Sequence, residues 1–325
     1  MEELGIKEGR PETPNWTTLC QGRASEGVKL CRGSSDGHLA IHILTTLEGL
    51  HSTHTVFLTV SARIRLQLTF GRLTNVLTVA ILSNHFMKSL DLTWPTAAEN
   101  LACDEALLDA CERNDPPEIL RLWEPRQHFV VLGYANKAEV EINIQACRER
   151  SIPIFRRCSG GGAVLQGPGC LNYSLLLKTD RTSALESITG TNCFIMQRNA
   201  AALSSLLGQP VSVEGFTDLA LNGLKFSGNA QRRRRDWLLF HGTFLLELDI
   251  SLMAQVLLPP SKQPPYRQNR SHADFLTGLK LPVASVKAAL QQSWAATEPL
   301  LEIPRSRIAE LVRDKYSRAE WNLKR

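Results

Sequence analysis

The pattern of apolar and polar positions becomes regular from about residue 87 onward. Thr96 and Glu99 predict the start of a helix, because a threonine at the N-cap and a glutamate three residues later satisfy each other's backbone N–H groups. Apolar residues then recur at helical spacing as far as Glu112. The aspartate and two prolines at residues 115–117 predict the end of this helix.

Short apolar runs bounded by turn residues predict the strands, and longer periodic segments predict further helices. Residues 120–124 and 128–132 predict two strands around a turn at Pro125, and residues 152–156 predict a strand that leads into a glycine loop. Further elements are a strand at residues 171–177 and helices at residues 139–150, at residues 183–207 and after residue 285.

Two hairpins are predicted in the second half of the chain. Asn222-Gly223 lies between two short apolar runs and is typical of a type I′ turn, whose two central residues need positive φ. A second turn is predicted at residues 234–236, before the apolar run at residues 237–248. Hairpins interleaved with helices predict an α+β fold with a mixed, largely antiparallel sheet flanked by helices.

Composition and charge exclude several classes of protein. The net charge of +5 is mild and the basic residues are spread along the chain, so charge does not indicate nucleic-acid binding. The eight cysteines show no metal-ligand spacing, and we expect reduced thiols in a cytoplasmic protein and no metal site. The first twenty residues lack an apolar segment, and arginines interrupt the stretch at residues 55–86. We therefore expect neither a signal peptide nor a membrane span.

The first candidate site is the glycine loop after the strand at residues 152–156. Gly160, Gly161 and Gly162 let the backbone turn sharply and present N–H groups to an anion. Arg157 adds a cation suited to a phosphate or a carboxylate. The loop is not a Walker A motif, because no Gly-Lys-Ser/Thr follows. The alternative is a flexible turn that carries a solvated arginine pair.

The second candidate site is the region from residue 215 to residue 243. Lys225 follows the predicted tight turn and alternates with Leu224 and Phe226, so its side chain is expected on the opposite face of the strand. A single lysine in a strand is usually a solvated edge residue. Lys225 alone therefore indicates little about function.

Taken together, these segments resemble the lipoate–protein ligase A family. The resemblance rests on RRCSGGGAVLQGPGCLNYS at residues 156–174, DLALNGLKFSGNAQRR at residues 218–233 and HGTFLL at residues 241–246. It covers roughly residues 87–325, including Trp321-Asn322. Three motifs in order at the family's separations are more specific than any one of them.

The resemblance implies a lipoate–protein ligase or lipoyl-AMP transferase. Lipoate and Mg-ATP would give lipoyl-AMP, and a lysine of an acceptor protein would then attack the mixed anhydride. Lys225 is the implied catalytic residue, because its ammonium would stabilise the charge that develops on oxygen during transfer. The implied binding residues are Arg157, Ser159, Gly160, Gly161, Gly162, Ala163, Val164, Leu165, Asp218, Lys225 and His241. For His241, a shaping role in the site and a satisfied core histidine both remain open.

The implied cofactors are ATP, lipoate and Mg²⁺. The implied acceptors are lipoyl domains, either of a 2-oxoacid dehydrogenase E2 or of a glycine cleavage H protein. The larger bacterial ligases continue beyond the Trp-Asn pair into an accessory domain. Three alternatives follow: a separate accessory subunit, the use of preformed lipoyl-AMP, or an enzyme that is not a ligase. No nucleic-acid or membrane partner is expected.

The chain departs from the family pattern at two positions. Gln166-Gly167 stands where the ligases commonly have His-Asp, which weakens the expected hold on the adenylate or its metal. Cys170 stands in place of a usual asparagine. The alternative function is an octanoyltransferase, which would move octanoyl from acyl carrier protein through a cysteine thioester.

The expected place of that nucleophile contains no cysteine. In octanoyltransferases of similar fold it lies shortly before an aspartate, and here the corresponding loop at residues 215–218 has none. Cys158 and Cys170 in the glycine loop are the nearest candidates. The chain also ends soon after the Trp-Asn pair, which favours the octanoyltransferase, but we give more weight to the missing nucleophile.

Four consecutive arginines occupy residues 232–235. They predict a solvated hairpin tip or a docking patch for an acidic acceptor domain. Some biotin ligases, which share this fold class, also bind DNA through an N-terminal helix-turn-helix. Residues 1–86 show no such pair of helices, so contact of the arginines with DNA phosphates is the minor alternative.

The domain boundary is predicted at Met87. Residues 1–86 have no sustained helical or strand period, and we expect an extension outside the catalytic unit that is disordered or, if the start site is assigned too far upstream, not translated. The alternative is a small accessory domain with a strand or two at residues 56–68. Residues 87–325 are the expected catalytic domain, with a core at about 87–250 and a C-terminal helical segment at about 251–325.

A chain that begins at Met87 tests this boundary. We expect it to be soluble, to melt cooperatively at the same temperature as the full chain, and to keep its activity. Calorimetry and an acceptor-modification assay on both chains in parallel measure this. Aggregation or lost activity of the shorter chain would show that residues 1–86 belong to the fold.

Overall fold

The computed structural model describes residues 87–247 and 249–324 in full, together with the backbone of residues 39–45, 56–60 and 77–83. The chain divides into two compact units, Met1–Asn84 and His85–Arg325, and each is described by itself.

The described residues of the first unit form three strands of largely apolar and β-branched residues. Strand β1 (Leu39–Thr45) pairs antiparallel with β2 (Val56–Val60) and with β3 (Leu77–Ser83). Strand β2 lies inside the stretch at residues 56–68 where one or two strands were the alternative, whereas β1 and β3 were not anticipated. The other residues of 1–86 lie outside the described part, so the assignment of this region as a dispensable extension stays a prediction.

The second unit has eleven strands and nine α-helices among the described residues. The strands are β4 Lys88–Asp91, β5 Ile119–Trp123, β6 Phe129–Leu132, β7 Ile154–Arg156, β8 Val164–Gln166, β9 Cys170–Lys178, β10 Ser212–Glu214, β11 Asp218–Leu221, β12 Leu224–Arg233, β13 Trp237–Leu245 and β14 Glu298–Pro299. The helices are α1 Ala97–Asn114, α2 Ala138–Glu141, α3 Ile144–Glu149, α4 Ile188–Leu207, α5 Ile250–Val256, α6 His272–Phe275, α7 Val283–Ser293, α8 Arg305–Leu311 and α9 Ala319–Asn322. Two 3₁₀ turns, Ser183–Leu185 and Pro265–Arg267, and a π-helical turn, Val312–Tyr316, complete the unit.

The strands form two sheets. The large sheet has the order β10-β11-β12-β13-β9-β5-β4-β14 and is antiparallel except at the pairs β5–β4 and β4–β14. The small sheet has the order β7-β6-β8, in which β6 runs parallel to β7 and antiparallel to β8. The predicted α+β class, with a mixed and largely antiparallel sheet flanked by helices, is confirmed.

Strands β9 and β13 separate two hydrophobic cores because successive side chains point to opposite faces of the sheet. Tyr173 and Phe240 face the core that contains Met196 of α4. Leu176 and Leu239 face the core built around α1. A third core lies between the small sheet and helices α5 and α6.

Local signals in the sequence place several elements correctly. The Oγ1 atom of Thr96 accepts from the N–H of Glu99 at 3.2 Å, and the Glu99 carboxylate accepts from the N–H of Thr96 at 2.9 Å, which forms the predicted capping box. Helix α1 ends at Asp115, which adopts the left-handed conformation. Asn222 and Gly223 have φ of 52° and 76°, as a type I′ turn requires.

The helix predicted at residues 139–150 is wrong. Two short helices, α2 and α3, occupy this stretch, because Ile142 is extended and pairs with Leu257 in an antiparallel bridge. Asn143 then caps α3 by accepting from the N–H of Ala146 at 3.1 Å. The strands on either side of Pro125 exist, but β5 belongs to the large sheet and β6 to the small one.

None of the helices in the described part of the chain combines the length and the apolar character that a membrane span requires.

Candidate functional site

The glycine loop joins β7 to β8 in the small sheet. Gly161 has φ of +88°, a conformation that other residues rarely adopt. A second glycine, which sequence reasoning missed, makes room for the loop. A Cβ atom on Gly133 would lie 2.0 Å from the carbonyl oxygen of Gly161, so only glycine allows this close approach.

Arg157 binds the carbonyl side of its own loop. Its guanidinium donates to the carbonyl of Gly160 at 2.5 and 3.0 Å and to that of Gly162 at 2.8 Å, and its Nε donates to Ser159 Oγ at 3.2 Å. Burial lowers the pKa of Arg157 to about 10, so the side chain remains a cation at neutral pH. The alternative of a solvated arginine pair is wrong for this residue.

The N–H groups of the loop, unlike its carbonyls, are not bound by Arg157. Those of Gly160, Gly161 and Gly162 have no backbone or side-chain acceptor in the part of the chain that the structure describes. Consecutive backbone N–H groups without acceptors are suited to an anion. The loop therefore presents donors to a ligand while Arg157 binds its carbonyls.

The last three predicted binding positions of this segment lie at the start of β8. Val164 and Leu165 pair with Val131 and Val130 of β6. Leu165 is completely buried in the third core, while Ala163 is partly exposed. Their role in binding stays a prediction.

Arg156, the neighbour of Arg157, has a structural role. It is fully buried and donates to the carbonyls of Gly133 at 2.9 Å, Trp321 at 3.0 Å and Lys324 at 2.9 Å. Its backbone N–H donates to Asn322 Oδ1 at 3.0 Å. The Trp-Asn pair near the end of the chain is thus bound to the strand that leads into the glycine loop.

Lys225 is held by an acidic partner. Its Nζ lies 2.8 Å from Oδ1 of Asp218, and Oδ2 of Asp218 accepts from the hydroxyl of Tyr266 at 2.9 Å. The Lys225 side chain is 26% exposed, so it is reachable without being a solvated edge residue. Asp218 was a predicted binding residue, whereas Tyr266 was missed because it lies about forty residues further along the chain.

Lys225 and the glycine loop lie over the same face of β12. A Cβ atom on Gly228 would lie 3.0 Å from Lys225 Nζ, and a Cβ atom on Gly161 would lie 3.4 Å from the Cβ of Ala230. Gly228 and Ala230 are two residues apart in a strand, about 7 Å, and therefore face the same side. That the two motifs bind one ligand stays a prediction.

His241 links the glycine loop to a buried acid. Its Nε2 lies 2.6 Å from Ser159 Oγ, and its Nδ1 lies 3.0 Å from Oδ2 of Asp104 in α1. Asp104 also accepts from Arg121 at 2.5 Å and from Ser174 at 2.8 Å. Burial raises the pKa of Asp104, but Arg121 and His241 outweigh it and hold the pKa below its ordinary value.

The strand register explains why these partners meet. Ala230, His241, Ser174 and Arg121 are directly opposite one another on β12, β13, β9 and β5. Asp104 lies over this row and was missed, because nothing in the helical pattern distinguishes it from a solvated residue. Both ring nitrogens of His241 thus have partners, as expected of a satisfied histidine, and through Ser159 the side chain also contacts the glycine loop.

A second buried polar group lies one row away. The Gln166 amide donates to Asn172 at 3.1 Å and to Thr243 at 2.7 Å, and its oxygen accepts from Asn172 at 2.9 Å. Gln166 stands where the resemblance led us to expect histidine. Here both ends of its amide bind protein groups.

The arginine run at residues 232–235 is not a solvated tip. Arg232 donates to the carbonyl of Cys158, and Arg233 donates to Thr191 and to the carbonyls of Leu185 and Glu186. Arg234 forms ion pairs with Asp109 at 2.9 Å and Glu112 at 2.7 Å of α1. Only Arg235 is exposed. The predicted docking patch is wrong for the other three, because they are bound within the unit.

The two candidate cysteines, Cys158 in the glycine loop and Cys170 at the start of β9, are buried thiols. Cys158 is 4% exposed and Cys170 is 2% exposed. Burial raises the pKa of each to about 12, so neither forms a thiolate near neutral pH. Among the described residues, no group of three or more His, Cys, Asp or Glu side chains could hold a metal ion.

Comparison with known proteins adds to this geometry. The family model "Lipoyl protein ligase A/B catalytic domain" matches residues 96–298. A probable lipoate-protein ligase A of Mycoplasma pneumoniae is 30% identical over 53% of this chain and 49% of its own length. The chain thus spans about half of that relative. An octanoyltransferase LipM of Brevibacillus brevis is 27% identical over 70% of this chain and 95% of its own length.

Two solved structures share the fold. One is a bi-partite lipoate protein ligase from Thermoplasma acidophilum with its E2 lipoyl domain, with a TM-score of 0.65, 24% identity, and coverage of 74% of this chain and 98% of that one. The other is a lipoate-protein ligase A bound with ATP, with a TM-score of 0.62, 26% identity, and coverage of 73% of this chain and 98% of that one.

Asp104 offers a test of the network. We expect Asp104→Asn to lower the free energy of unfolding by about 3 to 5 kcal/mol, because it leaves the buried Arg121 without a countercharge. Urea unfolding followed by circular dichroism measures the change. Glu298→Gln is the matched control, since Glu298 pairs with Lys88 at the surface and its loss should cost under about 1 kcal/mol. Equal small losses in both variants would contradict the role given to Asp104.

Proposed function

This chain belongs to the lipoyl protein ligase A/B catalytic domain family, and from that premise we propose that it attaches a lipoyl group to an acceptor lysine through an acyl-adenylate. The observation that carries the proposal is that Lys225 and the glycine loop lie over the same face of β12, at Gly228 and Ala230. An ammonium and backbone N–H groups without acceptors, placed along one strand face, suit a ligand that joins an acyl carbonyl to a phosphate.

The residues present fit an adenylate. The N–H groups of Gly161 and Gly162 would bind phosphate oxygens, and Arg157 would exchange its loop carbonyls for an ion pair with the phosphate. Lys225 would likewise leave Asp218 for the ligand. The solved lipoate-protein ligase A that is bound with ATP supports a nucleotide ligand for this chain.

Bound ATP would supply the energy that turns a carboxylate into a reactive mixed anhydride. We propose that Mg²⁺ accompanies its phosphates, since this ion usually binds through substrate phosphates and few protein ligands. Gln166 offers it no group, because its amide is bound to Asn172 and Thr243.

The partners follow from the same premise. We propose that the acceptor is a lipoyl domain, of a 2-oxoacid dehydrogenase E2 or of a glycine cleavage H protein. The Thermoplasma relative supports this proposal, since its solved structure is a bi-partite ligase with an E2 lipoyl domain. It also supports a separate accessory subunit for the present chain.

The second candidate is an octanoyltransferase, favoured by the likeness to LipM over nearly the whole length of that relative. The site argues against the usual route of such enzymes, acyl transfer through a cysteine thioester. The loop at residues 215–218 contains no cysteine, and Cys158 and Cys170 are buried with raised pKa values. The adenylate route needs no thiolate, so it is the first proposal.

Lys225→Ala tests the proposed catalytic residue. We expect at least a 10³-fold loss, to order of magnitude, in single-turnover acceptor modification, because the developing oxyanion loses its cation. Purified chain is incubated with an apo lipoyl domain and, separately, with lipoate plus ATP, with lipoyl-AMP and with octanoyl carrier protein. Mass spectrometry of the acceptor then measures transfer from each donor.

Lys178→Ala is the matched control for this substitution. Lys178 also pairs with an aspartate, Asp115 at 2.9 Å, but lies at the far end of β9. It should retain wild-type transfer. Near-normal transfer by folded Lys225→Ala would remove Lys225 from the mechanism, and modification from octanoyl carrier protein alone would favour the second candidate.

Replacing both Cys158 and Cys170 with serine tests the cysteine route. We expect substantial activity and no acyl-thioester on the wild-type chain, because both thiols are protonated and buried. Intact-mass measurement after incubation with each donor, with and without neutral hydroxylamine, checks for a thioester. A hydroxylamine-sensitive acyl adduct that either substitution removes would establish the cysteine route.

A further inference from the structure

We propose that Ser159 is an acyl-accepting nucleophile, activated by His241 and Asp104, which takes the acyl group from an activated donor before the acceptor lysine does. The donor class is an activated acyl carbonyl, either a thioester or an acyl-adenylate. The inference rests on the proposed acyl-transfer function and adds to it a covalent ester intermediate.

The geometry is that of a nucleophile, a base and an orienting acid. Ser159 Oγ lies 2.6 Å from His241 Nε2, and His241 Nδ1 lies 3.0 Å from Asp104 Oδ2. Activated hydroxyl nucleophiles are recognised by these two hydrogen bonds in sequence. The same arrangement occurs on unrelated folds, in which chain order and spacing differ.

The acid fixes where the protons lie. Arg121 and His241 keep Asp104 ionised despite its burial, and an ionised carboxylate can only accept hydrogen bonds. Nδ1 of His241 must therefore carry a proton and donate it to Asp104. In the neutral imidazole, Nε2 then presents a lone pair, and the hydroxyl of Ser159 donates to it.

The loop supplies the other requirement of acyl transfer, stabilisation of an oxyanion. The N–H group of Gly160, directly after Ser159, has no acceptor in the described part of the chain. A backbone donor next to the nucleophile stabilises the negative oxygen of a tetrahedral intermediate. Serine at this position thus has a base in His241 and a donor in the N–H group of Gly160.

Arg157 explains how the hydroxyl becomes available. Ser159 is 1% exposed, and the Nε of Arg157 donates to its Oγ at 3.2 Å. A hydrogen bond donated to Oγ lowers its nucleophilicity. An anionic donor group bound at the loop would compete for the guanidinium with a charge-assisted bond. Substrate binding would then uncover Ser159 and remove the hydrogen bond that weakens it.

The transfer balances in two halves. Oγ forms a bond to the acyl carbon while its proton passes to His241 Nε2, and the thiolate or the phosphate departs with the electron pair of the broken bond. The proton on Nε2 then passes to the departing thiolate or, after an adenylate donor, to solvent, so that Nε2 again has a lone pair. The lysine amine then attacks the ester, gives a proton to Nε2, and the C–Oγ bond breaks as the proton returns to Oγ. No oxidant, reductant or cysteine is needed.

The test uses the full chain without acceptor. It is mixed with octanoyl carrier protein or with lipoyl-AMP and quenched in acid. We expect the intact mass to rise by one acyl group that neutral hydroxylamine does not remove, and fragmentation of the peptide to place it on Ser159. Added apo lipoyl domain should then discharge it. The arm that gives the adduct identifies the donor as thioester or adenylate.

Two substitutions make the result decisive. Ser159→Ala should remove the adduct and slow acceptor modification by about 10³-fold or more, and Ser159→Cys should form a hydroxylamine-sensitive adduct at the same residue. Ser204→Ala is the control, because its hydroxyl binds only the carbonyl of Ala200 within α4 and the N–H of Val211. It should change neither reaction.

Failure of this inference differs from failure of the proposed function. If wild type modifies the acceptor but carries no ester, or if folded Ser159→Ala keeps wild-type transfer, Ser159 is not the nucleophile and the adenylate route stands alone. If wild type modifies no acceptor from any donor, the proposed function itself is wrong.

Discussion

The buried carboxylate of Asp104 is the interaction on which the site depends. It accepts hydrogen bonds from three neighbouring strands of the large sheet, through Arg121 of β5, Ser174 of β9 and His241 of β13. A carboxylate removed from water is stable only with such partners. Because α1 carries Asp104 and three strands supply its partners, one charge fixes the helix against the sheet and orients the imidazole that contacts the glycine loop.

Strand register places the partners of Asp104 in one row that continues to the glycine loop. His241, Ser174 and Arg121 are directly opposite one another, and Ala230 continues the row on β12, where it faces Gly161. A slip of one residue in any of these strands would turn its side chain to the opposite core. The hydrophobic alternation of β9 and β13 therefore keeps the polar row facing α1 and the loop, so packing on both faces of the sheet determines the geometry of a few polar atoms.

The elements that could be predicted from the sequence are those that neighbouring residues determine. The capping box of α1, the Asn222-Gly223 turn and the strand before the glycine loop each depend on neighbouring residues, and all are present. Prediction failed for elements and side chains whose structure depends on a residue far away in the sequence. Ile142 breaks a predicted helix by pairing with a residue more than a hundred positions away, and Asp104 and Tyr266 carry no local signal of the basic and polar groups that bind them.

The adjacent arginines of the loop show why only one of them is available to a ligand. Arg156 binds carbonyls from two other chain segments, one around Gly133 and one near the end of the chain, so its release would open both of them. Arg157 binds carbonyls of its own loop, and its exchange to an anion disturbs two glycine residues with exposed backbone. An ion pair with a phosphate is stronger than the bonds of a guanidinium to carbonyls, and Arg157 can make this exchange by giving up contacts within its own loop only. Arg156 therefore holds segments of the chain together, whereas Arg157 is available to bind an anion, because Arg157 contacts only its own loop.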